Sequence, residues 1–139
     1  MAVSFSVLLL STVANFLIGM SWYNPKTVGN IWAEAHDMNK TKMSLIKPSI
    51  AFPTAIMTGI IQNFVALVAL DFWSDATSAP ATFAAELPAV LWLWVGFTVA
   101  PMASHLAFTT PRMATALLID AFYHFFQLIA LLLIRQLLL

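Results

Sequence analysis

The chain contains no cysteine and very little charge. Without cysteine there is no disulfide framework, no thiolate nucleophile and no thiolate metal site, and nothing indicates a redox compartment. Asp, Glu, Lys and Arg make up only 9% of the 139 residues, whereas a water-soluble domain carries about 25%. Six basic and six acidic side chains cannot clothe a soluble surface of this length. The formal net charge is zero, so the clustered positive field needed by a nucleic-acid partner is missing as well. No catalytic set is recognisable, which favours a non-enzymatic protein, and no cofactor is indicated.

What fills the chain is apolar: 61% of residues are hydrophobic, and the mean hydropathy is +0.88. Long apolar runs extend over residues 2–20, 48–70, 87–111 and 113–134, the last interrupted by a single acid, Asp120. A hydrocarbon core of about 30 Å takes about 20 helical residues. Backbone groups in lipid must bond internally, so each run is expected to be a helix. The expected architecture is all-α, an integral membrane four-helix bundle forming one domain over residues 1–139. Its spans are placed near 3–22, 50–70, 87–108 and 115–134. The first run lacks the basic start of a cleaved signal peptide and is read as a permanent span.

Proline and lysine add detail. Pro48 and Pro53 fall at the start of the second span and Pro88 at the start of the third, where a missing donor costs least. Pro101 lies inside the third span and crowds the carbonyl of Phe97, so a kink is predicted there. The loop from Asn24 to Lys47 holds Lys26, Lys40, Lys42 and Lys47, and the third loop holds Arg112. Five of the six basic residues thus share one side, which the positive-inside rule assigns to the cytoplasm or its equivalent, with both termini opposite. The Asn39-Lys40-Thr41 sequon is discounted on that ground. Both a bacterial inner or plasma membrane and a eukaryotic organelle membrane fit. Within the first loop, Val28, Ile31, Trp32, Ala35 and Met38 recur at helical spacing. A short interfacial helix is expected, the alternative being a loop docked on neighbouring helix ends.

Lipid is as apolar as leucine, so the spans must associate through close contact and interhelical hydrogen bonds. Ser11, Asn15 and Gly19 recur every fourth residue in the first span. Ala51, Ala55, Gly59 and Asn63 do so in the second, and Gly96, Ala100 and Ser104 in the third. These narrow faces are expected to point at one another. Besides membrane lipids, the expected partners are further copies of the chain or a larger membrane complex.

Asp120 and His124 share one helical face, with Gln127 one turn on. An ionisable residue inside a span ordinarily faces an interior, a cavity or a partner. His105, just before the turn into the fourth span, is expected to converge with Asp120 and His124, with Asn15 at a comparable level. Three readings stay open. Asp120 orients His124 or His105 within a register-fixing network; the same groups line a transport cavity; or His105, Asp120 and His124 hold a divalent metal. Tyr123 points about 100° away but can join the network. His36, beside Glu34 and Asp37, reads as ordinary polar surface, Arg112 as a topology determinant, and Trp92 and Trp94 as packing or anchoring residues.

Gly19-Met20-Ser21-Trp22-Tyr23-Asn24-Pro25, followed by Gly29 and Trp32, resembles the Gly-x-x-Trp-Tyr-x-Pro…Gly-x-x-Trp signature of the domain-of-unknown-function 1761 family. Asp120-Ala121-Phe122-Tyr123-His124 resembles its late Asn/Asp-x-x-Tyr-His stretch. The resemblance implies a small integral membrane protein with several spans and supplies no biochemical activity. It marks Trp22, Tyr23, Pro25, Gly29, Trp32, Asp120, Tyr123 and His124 without giving them roles. Because asparagine also fits the position of Asp120, the resemblance weighs against a mechanism that requires a carboxylate.

Overall fold

The computed structural model describes residues 4–78 and 80–138. Four helices among them are long and apolar enough to cross a membrane. They are α1 (Phe5–Trp22), α4 (Pro48–Thr77), a broken third span, and α7 (Met113–Leu138). The third span consists of α5 (Phe83–Trp94), a π turn (Val95–Val99) and α6 (Ala100–Thr109). Two short helices, α2 (Gly29–Ala35) and α3 (Lys40–Ser44), fill the first loop. α1 packs on α4 and α7, and α5 also packs on α4 and α7, so the spans are neighbours in cyclic order.

The break in the third span is the predicted disturbance at Pro101. Proline has no N–H to give the Phe97 carbonyl, and its ring crowds that oxygen. The ladder responds one residue earlier, where the Ala100 N–H reaches back five residues to the Val95 carbonyl. Pro48 begins α4 as expected, with Lys47 as its N-cap. Pro53 and Pro88 instead lie inside their helices, because α5 already begins at Phe83 and α4 at Pro48. Thirty residues make α4 about 45 Å long, more than the hydrocarbon thickness, so it outruns the expected 50–70. Its end is a left-handed Ser78, φ 51°.

Packing is uneven along the spans. The main core joins Val7 of α1, Ala66, Leu67 and Leu70 of α4, Ala89 and Val90 of α5, and Leu128, Leu131 and Leu132 of α7. All of it lies in the half remote from the first loop. Toward the loop, residues 40–58 are exposed throughout, and α4 buries residues against its neighbours only from Gly59 onward, although Phe52 meets Phe16 edge-on at 6.1 Å. A second, small cluster of Ala35, Leu106 and Ala116 seats α2 against α6 and α7. The first-loop helix therefore docks on helix ends rather than lying free along an interface.

The small-residue faces do not all converge. Ser11 and Asn15 are buried, but Ala51, Ala55, Gly96, Ala100 and Ser104 are exposed. A Cβ added at Gly59 or Gly96 would meet nothing within 4 Å, so neither glycine is needed for contact within the chain. The reason is geometric: before Gly59 the small face of α4 packs on no neighbour, and the third span turns its small face outward.

Candidate functional site

The turn after α1 is built around a close backbone approach. The Gly29 N–H donates to the Asn24 carbonyl at 3.1 Å, and a Cβ at Gly29 would lie 2.2 Å from the Tyr23 carbonyl oxygen. Only glycine fits. The Asn30 amide donates to the Pro25 carbonyl at 3.1 Å, and the Thr27 hydroxyl meets the carbonyls of Ser21, Trp22 and Asn24. This hairpin carries α2 back over the end of the fourth span as a cap.

Three side chains hold the cap to α7. The Trp22 indole donates to the Ile119 carbonyl at 3.1 Å. The Tyr23 hydroxyl donates to Asp120 Oδ1 at 2.8 Å, and His36 Nε2 lies 3.1 Å from Asp120 Oδ2. His36 Nδ1 bonds the Trp32 carbonyl at 3.0 Å, and the Trp32 ring packs on both Tyr23 and His36. A carbonyl oxygen only accepts, so Nδ1 carries a hydrogen. Burial and the neighbouring Asp120 charge keep the Tyr23 phenol neutral, raising its pKa above the ordinary value.

His124 is not Asp120's partner. Its Nδ1 bonds Gln127 Oε1 at 2.9 Å, and Gln127 Nε2 donates to the Tyr123 hydroxyl at 2.7 Å. Tyr123 thus joins the His124 network through Gln127. The Tyr123 ring packs edge-on against Tyr23, centroids 5.0 Å apart, so the two networks meet at this aromatic contact. Tyr123 and Gln127 line a cleft of about 370 Å³ between α1 and α4. His124 lines another, about 690 Å³, between α4 and the broken third span.

His105 does not join these groups. Leu106 is the residue of α6 that packs inward; one position earlier, about 100° around the helix, His105 is exposed. The expected convergence of His105, Asp120 and His124 is therefore corrected. No group of three or more His, Asp or Glu able to hold a metal occurs among the described residues. Asn15 is 3% exposed, and its amide donates to Asn63 Oδ1 on α4 at 2.9 Å. Trp94 packs as expected, donating to the Ala121 carbonyl at 2.7 Å, while Trp92 is exposed.

His36 reads as surface from sequence because acids flank it. Its spacing of four from Trp32, placing both on one helical face, is the signal that could have found it. A second cluster also went unread. Arg135 Nη2 lies 2.8 Å from Asp71 Oδ1 and 3.0 Å from Glu86 Oε1, and Ser74 and Gln136 donate to Glu86 as well. Glu86 is wholly buried and Arg135 nearly so. An arginine deep in a leucine run, with no acid one turn away on its own helix, implies a partner from another helix.

Two groups of charges meet at the other end. Arg112 pairs with Glu34 at 2.7 Å, bringing the first and third loops together. Lys42 Nζ lies 2.7 Å from Asp37 Oδ2, and that contact holds the Asp37 carboxyl below its usual range. No curated protein and no solved structure matches the chain. A family described as Protein of unknown function (DUF1761) matches residues 6–135, which include the Trp22–Trp32 cap and the Asp120–His124 stretch that it latches onto. This integral membrane protein, apolar in its four long helices, belongs to the DUF1761 family.

Proposed function

We propose that the chain is a non-enzymatic accessory subunit of the membrane, a four-helix bundle with a latched cap. The observation that carries this reading is the engagement of both Asp120 oxygens, one by Tyr23 and one by His36. The acid inside the fourth span thereby fastens the cap, and it lines neither cleft described above. The outward face of the third span supplies a surface for a partner copy. Trp92, Gly96, Ala100, Ser104 and Phe108 are all exposed, and small residues between aromatic ends let backbones approach closely.

We read the orientation from the distribution of cations. The cap and the third loop carry Lys26, Lys40, Lys42, Lys47 and Arg112, while Arg135 at the opposite end is matched by two carboxylates. That asymmetry supports a cap on the cytoplasmic or equivalent side with the termini opposite. A bacterial inner or plasma membrane and an organelle membrane both fit.

A transporter is the second reading, favoured by the His124–Gln127–Tyr123 chain whose ends line different clefts. Reconstitution separates the two. Proteoliposomes containing the chain should show no proton or cation flux above empty liposomes, and cross-linking across Gly96 should trap a dimer. Flux that Asp120→Asn abolishes while assembly is retained would overturn the accessory role.

A further inference from the structure

The cleft between α4 and the broken third span carries open polar groups from three helices. Gln62 of α4, Thr98 of the π turn and His124 of α7 all line it. The Gln62 amide and the Thr98 hydroxyl make no hydrogen bond among the described residues, and His124 uses only Nδ1, on Gln127. None of the free atoms is sealed inside the protein: the described side-chain atoms buried without a partner are Ser11 Oγ and Asn15 Oδ1 alone. Thr12, Thr58, Thr77 and Thr109 each donate to the carbonyl four residues back. Thr98 does not, and it sits where the ladder reaches back five residues. Single π turns of this kind recur at functional sites.

The three residues also share a depth. Each lies within about two residues, or ~3 Å along the axis, of the middle of its span. Hydrocarbon offers no hydrogen-bond partner there, so polar groups left unmet are costly.

Their chemistry specifies what meets them. Gln127 Nε2 donates to Tyr123, which leaves Gln127 Oε1 to accept from His124 Nδ1. In the neutral ring Nε2 is then a bare acceptor and takes a donated hydrogen. The Gln62 amide and the Thr98 hydroxyl can each donate to an oxygen. No lining residue is charged, so a charged head group would sit at mid-membrane without a counter-ion. Phe97 and Met102 in the wall present a ring and a thioether, both of which favour contact with an aromatic ring. Phe97 is exposed, which leaves the cleft open to the lipid. At about 690 Å³ the cleft falls within the size range of small-molecule sites.

We propose that this mid-membrane cleft binds an uncharged dihydroxy-aromatic molecule, one hydroxyl donating its hydrogen to His124 Nε2, the other meeting the side of the cleft that holds Gln62 and Thr98, and the ring lying against Phe97 and Met102.

The full chain, with its histidines labelled with nitrogen-15, can be titrated in phosphatidylcholine nanodiscs with 4-hexylresorcinol and, separately, with its dimethyl ether, which has no hydrogen to donate. The resorcinol should move the His124 Nε2 resonance upfield, leave those of His36 and His105 in place, and bind about tenfold more tightly than the ether, a ratio equivalent to about 1.4 kcal/mol. Gln62→Leu and Thr98→Val should each weaken the resorcinol about tenfold at an unchanged thermal midpoint, because neither side chain has a hydrogen bond within the described chain to lose. Occupancy is read without any flux, so its outcome is separate from that of the reconstitution above. Equal shifts with both probes, or equal shifts at all three histidines, would mean that the probes merely dissolve in the lipid and would overturn the proposal. A His124 resonance indifferent to the resorcinol, or an affinity unchanged in both variants, would do the same.

Discussion

His36 in the first loop and Asp120 in the fourth span meet at 3.1 Å, Nε2 to Oδ2. With the Tyr23 hydroxyl on the other oxygen, this contact makes the loop part of the folded unit rather than a tether between spans.

Tyr23 sets a limit on alkaline stability. Its pKa is raised in the folded chain, first by burial and then by Asp120, so above about pH 10 the folded state holds a proton that the unfolded state has lost. Stability from this group is complete below about pH 10 and declines as pH rises further. Tyr23→Phe should lower stability by about 1.5–3 kcal/mol at neutral pH, the range for hydrogen bonds to charged groups, and flatten the alkaline decline. Thermal midpoints of both proteins measured from pH 7 to 11 provide the check; parallel curves would contradict the assignment.

Gly29→Ala should disrupt the cap. The added carbon would stand 2.2 Å from the Tyr23 carbonyl oxygen and 2.8 Å from the Asn24 carbonyl carbon, both backbone atoms that cannot turn aside. Overpacking of this kind costs about 1–3 kcal/mol. Trypsin should cleave faster at Lys26 and Lys40, and unchanged cleavage would mean that the turn adapts.

Arg135→Met should be the most damaging single change. It strands Glu86, which is 0% exposed, beside Asp71 without a cation. Removing one member of a buried ion pair costs about 3–5 kcal/mol. Adding Glu86→Gln to Arg135→Met should recover part of that loss in detergent unfolding; no recovery would place the damage in packing instead.

Asn63→Leu should be mild by comparison. Asn63 accepts from Asn15 and donates to Thr12 at 3.3 Å. Interhelical hydrogen bonds in membranes are worth about 0.6 kcal/mol on average and about 1.7 at most. A loss outside that range in unfolding from bicelles would show that Asn63 does more than join α1 to α4.

Spacing along one helix proved a good guide within that helix and a poor one between helices. The disturbance at Pro101 was legible because proline acts on its own i−4 carbonyl, and the ladder does change there. The helix around Trp32 was legible from its apolar period. The expected meeting of His105 with Asp120 rested on depth and on the tight turn between their helices, and neither says which way α6 is rotated. The same gap hid His36 and the Glu86–Arg135 pair, whose partners come from elements distant in sequence.

From sequence alone come the solvent and the count of spans. Scarcity of charge and the length of apolar runs determine both, and neither depends on how helices face one another. The gathering of lysines in the loop before α4 is likewise a property of the chain in one dimension. Tertiary structure decided which polar side chains satisfy one another: Asp120 with Tyr23 and His36, Arg135 with Asp71 and Glu86, Asn15 with Asn63. Those pairings depend on helix rotation and mutual register, which are set when several surfaces pack at once.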